Sequence, residues 1–160
     1  MSAKNILILG ASYGSLLATK LALAGHSTTM MCLPNEVELV NSEGTLIRMP
    51  VKGRAGLVDV PSSKLPGRIS AAGPESIDPA TFDLVVLAMQ EPQYRAPAVR
   101  DMLARVAKSG VPCMSIMNMP PLPFLKRLPG VDGATLRHCF ADASVWDVFE
   151  PAQMTLCSPD

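Results

Sequence analysis

The sequence predicts an α/β domain in three layers, with helices over both faces of a mostly parallel sheet and a β-rich insertion near residues 45–72. Two apolar runs carry this expectation first. Ile6 to Leu9 and Leu84 to Met89 lack polar alternation, and strands of that kind belong to sheets buried on both sides. Each run is followed by a helix-forming segment, and then by a further β-leaning stretch, which is the order of a parallel crossover unit. The third observation is size. A chain of 160 residues, 48% apolar and 18% charged, suffices for one domain with a real core. Its 15 prolines are about twice ordinary usage, yet with 11 glycines they stay below the level of a low-complexity chain.

Taken in order, Ile6 to Leu9 is the first strand and Gly10-Ala11-Ser12-Tyr13-Gly14 a glycine-bearing turn. Ser15 to Ala24 is helix-forming, with Lys20 its only charge, and Gly25 is placed to end it; Ser27 to Leu33 follows as the second strand. Asn35 with Glu38 three residues on has the spacing of a capping box, and Gly44 closes that short helix. Thr45 to Met49 and Ala55 to Val60 flank Lys52-Gly53-Arg54 and read as a hairpin. Residues 61–80 form a connection with one edge strand at Arg68 to Ala72. After the strand at Leu84 to Met89, the segment Ala96 to Lys108 opens on Pro97. It carries Val99, Met102, Leu103 and Val106 as a helical stripe, and Gly110 caps it. Val111 to Met117 is the next strand. Pro120, Pro121 and Pro123 then predict a rigid extended turn with no helix start. Thr135 to Phe140 and Met154 to Cys157 read as short strands around an irregular stretch at Trp146.

The charge balance excludes partners that need a strong field. There are 14 basic and 14 acidic residues, evenly shared between the halves, so no basic footprint for nucleic acid exists. No apolar run approaches the roughly 18 residues of a membrane span, and the N-terminal run is too short for a secretory signal. Cys32, Cys113, Cys139 and Cys157 form no CxxC pair, which favours reduced core thiols in a cytoplasmic protein over zinc ligands or disulfides.

The chemistry is concentrated in the first unit. A strand, a glycine turn and a helix in that order aim backbone N–H groups and a helix dipole at a diphosphate, the arrangement of a Rossmann-like dinucleotide site. The strict G-x-G-x-x-G is not met: counting from Gly10, the second glycine position holds Ser12 and the third Ser15. Gly14 takes the packing role, and Ser12 and Ser15 offer hydroxyl donors. The end of the second strand should distinguish the cofactor, an acid binding the ribose 2′-hydroxyl and an Arg the 2′-phosphate. Cys32-Leu33-Pro34-Asn35 offers neither, so NAD and NADP both stay open there.

Over residues 1–150 the chain resembles the N-terminal domain of the ketopantoate reductase family, within the 6-phosphogluconate-dehydrogenase-like proteins. Ile6 to Ala11 and Gly14-Ser15-Leu16-Leu17-Ala18 resemble the family's fingerprint, Leu23-Ala24-Gly25-His26 its helix exit, and Gly44-Thr45-Leu46-Ile47 the following strand. Phe82 to Met89 resembles the fourth strand, and Ser115-Ile116-Met117-Asn118 the segment ending in an Asn beside the nicotinamide and substrate. The resemblance implies NADP(H) as cofactor, with NAD as the alternative, and hydride transfer to a small 2-keto acid or related carbonyl. It implies cofactor contacts from Gly10, Ala11, Ser12, Tyr13, Gly14, Leu33, Met89, Gln90 and Asn118, with Asn118 also the catalytic orienting residue. The chain departs from the family at Gln90, where Lys is common, at Met119, where Gly is common, and at Leu33, where the phosphate-reading Arg falls. The family's general-acid Lys and substrate-binding Glu lie in a second, helical domain. The expectation is that this domain is absent here and that any homodimer forms through it.

Two other function classes compete. Gly-Ala-Ser-Tyr-Gly also resembles the opening of some FAD enzymes, and the departures at Leu33, Gln90 and Met119 fit a non-catalytic nucleotide-binding or scaffold protein. A short-chain dehydrogenase is disfavoured because neither Tyr13 nor Tyr94 has Lys four residues later. His26, His138 and the carboxylates Asp142, Asp147 and Glu150 read as structural or solvated groups.

Overall fold

A computed structural model describes residues 2–149 and 154–156. The elements are β1 (Asn5–Leu9), α1 (Ala11–Leu23), β2 (Ser27–Met31), α2 (Pro34–Glu43), β3 (Leu46–Pro50), β4 (Leu57–Pro61) and β5 (Ile69–Ala72). They continue as β6 (Leu84–Leu87), α3 (Pro97–Ser109), β7 (Cys113–Ser115), α4 (Leu122–Leu125), α5 (Gly133–Arg137) and β8 (Met154–Leu156). Six strands form one wholly parallel sheet in the order β5-β2-β1-β6-β7-β8, while β3 and β4 pair antiparallel as a separate hairpin. This is the expected Rossmann-like three-layer α/β fold with its β-rich insertion.

The apolar strands are central for the reason their sequence gives. Leu7 and Leu9 of β1 and Val85 and Leu87 of β6 face one side, where Met102, Leu103 and Val106 of α3 pack with Tyr94 and Trp146. Ile6, Ile8, Val86 and Ala88 face the other, against Ala18 of α1 with Val37 and Val40 of α2 alongside. Alternate residues therefore bury into two different cores, and no buried position of β1 or β6 carries a polar side chain.

The sheet's edge at β5 is finished by a side chain. Asn41 of α2 donates to the Ala71 carbonyl at 2.8 Å and accepts the Ala71 N–H at 3.0 Å, pairing the edge as a further strand would. Just before β5, Gly67 crosses the C-terminal end of α1, its N–H donating to the Ala22 carbonyl at 2.9 Å. A Cβ at Gly67 would lie 2.0 Å from the His26 carbonyl oxygen and 2.9 Å from the Ala22 Cα.

Several local expectations are corrected. The helix after β1 begins at Ala11 rather than Ser15, because Gly10, at φ 108°, turns the chain within one residue. The cap of α2 is Leu33 with Glu36, not Asn35 with Glu38, since Pro34 takes the first helical position and the Glu36 carboxylate accepts the Leu33 N–H. A helix does start among the prolines. In α4, Pro121 precedes Leu122 and Pro123 occupies the first turn, where a missing N–H costs nothing. The predicted strand at Thr135 to Phe140 is instead α5, initiated by Asp132, whose carboxylate accepts the N–H groups of Ala134 and Thr135. Cys32 and Cys113 are core thiols as expected, but Cys139 is exposed. Cys157 and Glu150 lie outside the described residues. Among the described residues no helix is long and apolar enough to cross a membrane.

Candidate functional site

The site grows from the junction of β1, α1 and β6. Sheet order reverses there, since the chain runs outward from β1 through β2 to β5 and returns to the other side of β1 as β6. Ligands of open α/β sheets bind at such a switch point, beyond the carboxyl ends of the strands. Two glycines permit the close approach. A Cβ at Gly10 would lie 2.5 Å from Met89 Cγ and 3.1 Å from the Ala88 carbonyl oxygen, and one at Gly14 would lie 2.5 Å from Ile8 Cγ2. Gly10 thus makes the turn and Gly14 lets α1 seat on β1.

The N-terminus of α1 is left open. No side chain caps it and no acid occupies its first turn. The first-turn N–H groups at Ala11, Ser12 and Tyr13 are those a helix cannot satisfy internally, and with the dipole they make an anion-binding end. This end faces a cavity of about 580 Å³ lined by Gly10 to Tyr13, by Cys32, Leu33 and Glu36 after β2, by Met89 and Gln90 after β6, and by Gln93 and Ala96 across the cleft. A second cavity of about 180 Å³ adjoins it and is lined by Tyr13, Gln90, Met117, Asn118 and Met119. Tyr13 and Gln90 belong to both, and the Gln90 side-chain amide donates to the Tyr13 hydroxyl at 3.4 Å between them.

The far wall is braced from the core. The Met89 N–H donates to the Tyr94 hydroxyl at 3.1 Å, and Tyr94 is fully buried against Trp146, with ring centroids 5.4 Å apart. Burial pushes the Tyr94 phenol above its ordinary range. The Gln90 N–H donates to the Gln93 side chain at 2.8 Å. On the opposite wall the Cys32 thiol is pushed up to about 11, first by burial and then by the Glu36 charge, so it is protonated at neutral pH.

Of the residues expected at the site, Gly10, Ala11, Ser12, Tyr13, Leu33, Met89 and Gln90 line the larger cavity, Asn118 lines the smaller, and Gly14 lies beneath the first turn of α1. Glu36, Gln93 and Tyr94 were missed. For Glu36 a signal existed: Pro34 marks a first helical position, which puts residue 36 in the first turn. His26 accepts the Lys4 N–H at its Nδ1, and Asp142 and Asp147 pair with Arg100 and Arg137, so these groups serve the scaffold.

No family model matches the sequence, and no curated protein matches it. Solved structures do. A protein assigned as a ketopantoate reductase from Ralstonia solanacearum MolK2 superposes with a TM-score of 0.62 at 22% identity, covering 98% of this chain and 44% of that one. An assigned 2-dehydropantoate 2-reductase from Bacillus subtilis gives 0.50 at 21% identity, covering 81% of this chain and 38% of that one. The chain thus spans less than half the length of either neighbour. At these identities the likeness is one of fold: the chain has a Rossmann-like α/β fold similar to that of these two ketopantoate-reductase structures.

Proposed function

We propose that this chain binds a nicotinamide dinucleotide across its two cavities and presents it for reduction of a small 2-keto acid or related carbonyl. The carrying observation is the uncapped N-terminus of α1, opening on a large cavity that continues past Tyr13 and Gln90 into a smaller one at Asn118. The cradle at Gly10 fits a diphosphate, since a side chain there would strike Met89 and the Ala88 carbonyl. NAD(H) and NADP(H) share the diphosphate and nicotinamide, so this cradle suits either.

Such a cofactor supplies hydride. The chain's own residues bind and orient. Backbone N–H groups of Ala11, Ser12 and Tyr13 hold the diphosphate, and Met89 supplies an apolar wall whose backbone is fixed by Tyr94. Asn118 orients carboxamide or substrate, because an amide both donates and accepts. Neither cavity is lined by Lys or Arg among the described residues, so the described cavity walls hold no cationic partner for a substrate carboxylate. The buried, unpaired thiols of Cys32 and Cys113 accord with work in the cytoplasm.

Titration of the 160-residue chain with NADH and with NADPH, followed by nicotinamide fluorescence, tests the reading. Saturable binding of at least one is expected, without ketoacid reduction by this chain alone. Binding of neither would overturn the proposal.

A further inference from the structure

The end of β2 bears on which dinucleotide the cavity takes, and the relevant residue is one that the strand itself does not contain. β1 and β2 are neighbours in register, Leu9 opposite Met31, and the Gly10 N–H donates to the Met31 carbonyl at 3.3 Å. A ribose attached to a diphosphate at the start of α1 therefore falls against the residues that follow Met31. Those on the cavity wall are Cys32, Leu33 and Glu36. Leu33 is exposed and apolar, and Cys32 is a protonated thiol. Glu36 is the only charged residue lining the larger cavity, and no Lys or Arg joins it there among the described residues.

The Glu36 carboxylate is held in place. One oxygen accepts the Leu33 N–H at 3.0 Å, and the side chain is half-buried in the first turn of α2. The remaining lone pairs are available to hydroxyl donors on the cavity side. A phosphate at the same place meets the opposite situation. The anion-attracting end of α2 is already occupied by this carboxylate, and no cation among the described cavity residues offsets the repulsion between two negative groups.

We propose that Glu36 is a specificity residue that makes the cavity prefer NAD(H), with its free ribose 2′-hydroxyl, over the 2′-phosphorylated NADP(H). The proposal rests on the dinucleotide reading of the cavity and reverses the cofactor preference that the family resemblance implies.

The test compares NADH with NADPH on the native chain and on Glu36→Gln, by fluorescence titration at low and high salt. Glutamine keeps an acceptor for the Leu33 N–H and removes only the charge. On the native chain NADH binds more tightly than NADPH by about tenfold or more at low salt, the repulsion being a like-charge contact. The gap narrows at high salt as screening grows. In Glu36→Gln it shrinks mainly through tighter NADPH binding. NADPH binding as tightly as NADH to the native chain, or a ratio unmoved by Glu36→Gln, overturns the role of Glu36 while leaving the dinucleotide site standing. Binding of neither cofactor overturns the site and this proposal together. Should Glu36→Gln fail to fold, the native comparison still decides, with 2′-AMP and 5′-AMP as competing probes.

Discussion

Gly14 has no space for even one methyl group. Its Cβ would meet Ile8 Cγ2 at 2.5 Å, in the core beneath the first turn of α1. Gly14→Ala should therefore lift α1 from β1 and destabilise the fold by about 1–3 kcal/mol, the usual range for overpacking, which urea unfolding would measure. Dinucleotide affinity should fall with it, because the first-turn N–H groups move with the helix. Asn118 presents the opposite case. It is exposed, lines the smaller cavity and makes no hydrogen bond to another described residue. A turn-capping role would have required such a bond. Asn118→Ala should change the unfolding free energy by no more than the roughly 0.5 kcal/mol of surface substitutions, while weakening cofactor binding. A thermal shift with unchanged binding would assign it to the scaffold instead. At this scale the sequence was informative about Gly10 and Gly14 because their constraints arise from adjacent elements. It was uninformative about Tyr94, whose buried hydroxyl accepts the Met89 N–H from five residues on, in the turn that follows β6.

Among the elements, those with continuous apolar runs were legible and those decided by a cap were not. β1 and β6 were read correctly because burial on two faces leaves a one-dimensional signature. α5 was misread as a strand because Thr135, Leu136, Cys139 and Phe140 have β-leaning side chains. The local decision belongs to Asp132, which holds the Ala134 and Thr135 N–H groups and the Thr135 hydroxyl. Those bonds, the Thr135 hydroxyl first, hold the Asp132 carboxyl below its ordinary range. A depressed folded pKa stabilises the native state above the unfolded value of about 3.9, and that contribution is lost as pH falls through the folded value. Unfolding midpoints of the native chain and of Asp132→Ala should accordingly differ most at neutral pH and converge below about pH 4. A gap that persists in acid would mean that the carboxylate is not what starts α5. The edge at β5 follows the same logic, since Asn41 completes it from a different element and only the fold brings the two together.

For the molecule as a whole, two cores share one sheet. β1 and β6 contribute alternate residues to both, so loss of either core strips the strands that support the other. Trp146, the single tryptophan, is 1% exposed in the α3-side core and reports on that side alone. Denaturation followed by its fluorescence should coincide with loss of far-UV circular dichroism, as in a two-state domain. Separate midpoints would show that the faces unfold independently. The crossing at Gly67 couples distant parts in another way. The atoms a side chain would strike, the His26 oxygen and the Ala22 Cα, belong to the backbone, so no repacking of neighbours relieves them. They lie at the C-terminal end of α1, the end opposite the cavity. Under random mutagenesis with selection for the folded chain, position 67 would tolerate as little variation as the cradle at Gly10. A map of mutational tolerance would then mark glycines at both ends of α1: Gly10 and Gly14, where the helix seats on the sheet, and Gly67 at the far end, where the limit is the thickness of the polypeptide itself.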